Sequence, residues 1–140
     1  MQARNERCRM INVVVDTNVL ISAALSIKGN PAKVIECITD QKEIKLFYAE
    51  KIFDEYKKVL AYERLNINNK MQDRALNLIK KIGILIEPTV STIPLPDETD
   101  RIFYDTAKAN RAILITGNTK HFPAEPSIMT PTEFLDILAT

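Results

Sequence analysis

The chain has 140 residues, a length that supports one hydrophobic core and not two. Its 46% apolar and 26% charged residues match an ordinary soluble globular protein, and no apolar run is long enough to span a bilayer. A net charge of +1 confines any nucleic-acid contact to a local patch.

Residues 1–11 are expected to form a flexible basic arm without an apolar signal-peptide core, leaving a single domain over 12–140. Residues 12–16 predict a strand. The β-branched run Val13-Val14-Val15 suits a strand buried on both faces of a parallel sheet. Residues 17–25 predict a helix capped by Thr17 or Asn18. After a break at Gly29-Asn30-Pro31, residues 32–41 predict a second helix. Ile44 to Tyr48 predicts a strand and 50–62 a helix. Asn68 is placed to cap the next helix, which ends at Gly83 before a strand over 84–86. Pro88 to Pro96 reads as a loop, 98–110 as a helix, 112–116 as a buried strand and 117–126 as a loop. A short strand at 127–130 and a helix from Thr132 close the chain. This alternation predicts an α/β protein: a three-layer α/β/α sandwich around a mostly parallel sheet of four to five strands. Cys8 and Cys37 lack metal or redox spacing and read as free thiols in a reducing cytoplasm.

The acids carry the chemistry. Asp16 sits at the carboxyl end of a buried strand, where open α/β sheets bind ligands, although a helix cap explains it equally well. Glu55 falls at the edge of the Ile52, Tyr56, Val59, Leu60 stripe, suiting a boundary ion pair with Lys51 or Lys58, or a ligand. In Asp97-Glu98-Thr99-Asp100, Asp97 suits an N-cap. Asp100 heads the inward stripe with Phe103, Tyr104 and Ala107, while Glu98 and Asp105 are expected in solvent. Asn118 follows the strand ending Ile115-Thr116-Gly117, where Gly117 permits a tight turn or a close backbone approach. In a parallel sheet these ends meet in one crevice. Three carboxylates there resist ionisation unless a cation joins them, and oxygen ligands without His or Cys favour Mg²⁺ or Mn²⁺.

Together, Val14-Val15-Asp16-Thr17-Asn18-Val19-Leu20, Asp54 to Leu60, Asp97 to Phe103 and Ile113 to Asn118 resemble a PIN domain of the VapC-like toxin branch over about residues 12–136. The resemblance implies a metal-dependent endoribonuclease that hydrolyses RNA phosphodiesters, with Asp16, Glu55 and Asp100 as metal ligands and Asp97 as a candidate fourth. Asn118, where the family often has Asp, would orient water with the carboxylates. It implies Thr17, Asn18, Thr116, Lys120, His121 and Arg101 as substrate-binding residues, with Lys120 and His121 beside the crevice. It also implies a cognate antitoxin, a homodimer and no membrane partner. A PIN domain that binds RNA or protein without cutting is the alternative that Asn118 keeps open. Arg101 and Arg111 flank the acid-bearing helix and are the expected backbone-holding cations, whereas Lys70, Arg74, Lys80 and Lys81 read as a solvated helix face. Three glycines and no Gly-rich phosphate motif argue against dinucleotide or P-loop binding.

Overall fold

The computed structural model describes residues 10–140, so Cys8 and nearly all of the expected arm lie outside the described residues. Five strands form one all-parallel sheet in the order β3-β2-β1-β4-β5. They are β1 (Ile11–Val15), β2 (Ile44–Tyr48), β3 (Gly83–Leu85), β4 (Ile113–Ile115) and β5 (Ile128–Met129). The helices are α1 (Thr17–Leu25), α2 (Asn30–Asp40), α3 (Glu50–Leu60), α4 (Asn69–Ile82), α5 (Arg101–Ala109) and α6 (Pro131–Ala139). They build the expected α/β/α sandwich.

The core explains the strand order. Val13, Val14 and Val15 are fully buried, as a central strand covered by helices on both faces requires. Ile44, Leu46 and Tyr48 alternate with half-buried residues along β2. Tyr56, Phe103, Tyr104 and Phe134 bring the largest buried side chains from α3, α5 and α6 into the same cluster. The chain runs outward from β1 through β2 to β3, then returns to the other side of β1 for β4 and β5. The direction of winding therefore reverses between β1 and β4, and the crevice outside their carboxyl ends is where such sheets place ligands.

Several boundaries differ from the sequence expectation. β1 begins at Ile11, inside the expected arm, because its amide reaches the Glu43 carbonyl (2.8 Å). Asp16 itself caps α1, accepting from the Thr17 amide, so the cap is neither Thr17 nor Asn18. β3 takes in Gly83, where there is no room for a side chain: a Cβ would lie 2.6 Å from the Ile79 carbonyl and 2.7 Å from the Tyr48 ring. The helix expected over 98–110 splits into a 3₁₀ turn at Glu98–Asp100 and α5. Asp97 tightens that turn by accepting from the Thr99 amide (3.0 Å), and its carbonyl accepts from the Asp100 amide (3.1 Å). Asn68 does cap α4 through the Met71 amide. Thr130 and Glu133 form a capping box on α6 that the sequence reading passed over.

Candidate active site

Asp16 is 6% exposed and held from three sides. Its Oδ1 accepts from the Thr17 amide (2.8 Å); its Oδ2 accepts from the Thr116 hydroxyl (2.7 Å) and the Asn18 amide (3.3 Å). The backbone is equally fixed, because the Asp16 amide donates to the Ile115 carbonyl (2.9 Å) and the buried Tyr56 hydroxyl donates to the Val15 carbonyl. Burial raises the Asp16 carboxyl above the usual aspartate range, opposed by the Thr116 and Thr17 hydrogen bonds.

An open crevice of about 400 Å³ lies over this carboxylate, and Glu55 and Asp100 also line it. Asp100 sits at the junction of the 3₁₀ turn and α5. Its Oδ2 is buried without a hydrogen-bond partner. Burial, and next the negative charge of Asp16, push its carboxyl up to about 6. Glu55 reaches the crevice from α3, with Lys58 Nζ at 3.9 Å, a separation too long to commit it. Among the described residues, no group of three or more acids, His or Cys lies close enough together to hold a metal ion as the side chains stand. An open set of carboxylates with an orphaned buried oxygen and opposed ionisation suits a hard cation that keeps water and takes part of its shell from a substrate, as Mg²⁺ does.

The remaining expected residues divide. Thr17 lines the crevice with a buried hydroxyl that has no partner, and Asn18 lines it while accepting the Gly117 amide (2.9 Å), the close approach that Gly117 permits. Thr116 is fully buried and orients Asp16. The Asn118 amide donates to His121 Nε2 (2.9 Å) and lines an adjoining groove rather than the carboxylate crevice. His121 Nδ1 lies 3.4 Å from Asp100 Oδ2, so the ring sits against the acids. Lys120 is exposed and does not line the crevice. Asp97 is occupied in capping Thr99.

Two placements correct the sequence reading. Arg101 is not a free cation: its guanidinium donates to both Glu98 oxygens, to the Ser91 carbonyl and hydroxyl, and to the Ile93 carbonyl. It ties down the 88–97 loop and does not line the carboxylate crevice. Asp105, expected in solvent, is 4% exposed and accepts from the Ser91 amide (3.0 Å). The inward stripe of α5 is wide enough to include it because the loop folds over that face. Arg111 follows the C-terminal end of α5, away from the edge that carries Asp100. The cation that does line the crevice, Arg64, escaped notice because its 3₁₀ turn (Glu63–Leu65) has no periodicity to read.

The uncharacterized protein MJ1680 of Methanocaldococcus jannaschii is 30% identical over 111 residues, covering 77% of this chain and 71% of that protein. PAE2754 from Pyrobaculum aerophilum shares the fold with a TM-score of 0.61 at 16% identity, over 92% of this chain and 90% of that one. VapBC2 from Rickettsia felis, solved bound to a DNA fragment from its promoter, superposes with a TM-score of 0.58 at 14% identity, over 86% of this chain and 97% of that one. The PIN domain family matches residues 12–120, a span that takes in all three crevice carboxylates and most of the sheet. The chain belongs to the PIN domain family.

Proposed function

We propose that this protein is a divalent-metal-dependent endoribonuclease and the toxin of a toxin–antitoxin pair. The observation that carries the reading is the convergence of Asp16, Glu55 and Asp100 on one open crevice in a PIN domain, with Asp16 and Asp100 both disfavoured as bare anions. These three would hold Mg²⁺ or Mn²⁺, which in such a site acidifies water and offsets the charge that grows on a phosphodiester under attack.

The chain's own residues perform the positioning. Thr17 and Thr116 fix the Asp16 carboxylate so that little reorganisation is needed when a ligand arrives. Asp100 Oδ2, buried without a hydrogen bond and 3.4 Å from His121 Nδ1, is the group poised to accept a proton or a cation. His121, held by Asn118 and set against Asp100, and Arg64 both line the crevice, and Arg64 is suited to substrate phosphate oxygens. A cognate antitoxin is supported by the fold shared with VapBC2, and a homodimer is the expected assembly. No described helix is long and apolar enough to cross a membrane.

The test is cleavage of total RNA in Mn²⁺ or Mg²⁺ by wild type and Asp16→Asn. Cleavage by the first, lost in EDTA and in the second, is expected. No cleavage in any divalent ion refutes the reading. The engagement of the Asn118 amide by His121, where the family often has an acid, supports a second reading as a non-cutting RNA-binding module. That reading predicts RNA retention without cleavage.

A further inference from the structure

Beyond Glu55, the chain leaves α3 through Tyr62 and enters the 3₁₀ turn Glu63–Leu65, which closes on Asn66 in the left-handed region (φ 54°). The Tyr62 amide donates to the Val59 carbonyl (3.1 Å), and the Tyr62 carbonyl accepts from the Leu65 amide (3.1 Å), so the ring is carried on a fixed backbone. The Arg64 guanidinium lies over that ring, 5.0 Å from its centre. Both side chains line the same crevice as Asp16, Glu55 and Asp100. Among the described residues, no carboxylate lies within ion-pairing distance of Arg64, although the crevice is rich in acids. An exposed guanidinium stacked on a half-buried ring, with no carboxylate of the described residues paired to it, is a flat cationic surface.

The crevice continues into adjoining grooves as a trough: it shares Glu55 and Thr99 with one groove, and Asn18 and Ser22 with another. An extended strand can run through such a trough; unpaired bases stack on aromatic rings and on guanidinium planes, whereas paired ones are not free to do so.

We infer that Tyr62 and Arg64 form a stacking platform for one unpaired nucleobase beside the crevice carboxylates. The inference rests on the nuclease reading of the same site. Tyr62 supplies the π-face, and Arg64 supplies both a second stacking plane and a donor fork for the adjoining phosphate.

The test is equilibrium binding of a short fluorescein-labelled single-stranded RNA of mixed sequence in EDTA, with every variant carrying Asp16→Asn so that nothing is cut. Tyr62→Ala is expected to weaken binding roughly 5- to 100-fold, the range for removing an aromatic stacking partner. Tyr62→Phe, which keeps the ring and guards against a folding artefact, should stay within about twofold, since the stacking face is unchanged. Arg64→Gln, at an exposed position, should weaken binding and reduce the salt dependence by about one phosphate contact. The same RNA annealed to its complement should bind more weakly than the single strand. Unchanged binding in both Tyr62→Ala and Arg64→Gln, or duplex bound as tightly as single strand, overturns the platform. Cleavage by the wild type in Mn²⁺ separates the two ideas. Cleavage with unchanged binding in the variants sinks the platform and keeps the nuclease. Platform-dependent binding without any cleavage keeps the platform and sinks the nuclease.

Discussion

Replacing Asp100 with Asn should make the metal-free protein more stable while removing a metal ligand. In the fold, burial and the neighbouring Asp16 push the Asp100 carboxyl up to about 6, against an unfolded value near 4. Between about pH 4 and pH 6 the folded state therefore holds more protons than the unfolded state, and stability falls as pH rises through that window. Above about pH 6 the cost is complete. Two pH units correspond to about 3 kcal/mol. The crevice is open, so screening reduces this to roughly 1 to 2 kcal/mol, or about 3 to 8 °C in Tm for a domain of this size. Asn keeps the shape of Asp100 and brings no charge toward Asp16 or Glu55. Thermal melts in EDTA should thus show Asp100→Asn close to wild type near pH 4 and above it near pH 7.5, by a gap that opens between about 4 and 6. Adding Mn²⁺ should raise the melting temperature of wild type more than that of the variant. A variant no more stable than wild type near neutral pH, or a gap that does not change with pH, would refute the strain assigned to Asp100.

Asp16→Asn should reduce RNA cleavage by about a hundredfold or more, the scale lost with a positioned catalytic group, as read by initial rates in Mn²⁺. Tyr56→Phe should cost about 1 to 3 kcal/mol in urea denaturation, because the buried Val15 carbonyl at the root of the Asp16 turn loses its donor. Gly83→Ala should destabilise by about 1 to 3 kcal/mol, since its Cβ would meet the Ile79 carbonyl and the Tyr48 ring inside contact distance. Arg101→Ala should speed amide exchange at Ser91 and Ile93 while leaving single-stranded RNA binding unchanged; weakened binding with slow exchange would restore Arg101 as a substrate contact.

The central strand, the acid at its end and the inward lean of Asp100 could all be read along the chain, because each is a local pattern. A β-branched run marks a doubly covered strand, and an i, i+3, i+4, i+7 stripe marks the face of a helix. The same logic misled where a distant segment supplied the environment. Asp105 reads as solvated on its own helix, yet the 88–97 loop buries it. Arg101 reads as an available cation, yet five hydrogen bonds to Glu98, Ser91 and Ile93 occupy it. His121 carries no signal in its neighbours, and only the fold sets it 3.4 Å from Asp100.

By itself the sequence determined the alternation of strands and helices, the parallel sheet, and the three acids whose residue types call for a hard cation. Hydrophobic periodicity and strand-end position are properties of the chain alone. The tertiary structure decided which polar groups are spent and which remain available. A side chain's partners depend on residues tens of positions away: Thr116 orients Asp16, Ser91 claims Asp105 and Arg101, and Asp100 Oδ2 is left without a hydrogen bond, 3.4 Å from His121 Nδ1. Those partners meet only when loops close over the carboxyl edge of the sheet, since hydrogen bonding is short-ranged and directional, whereas the patterns that form strands and helices are not.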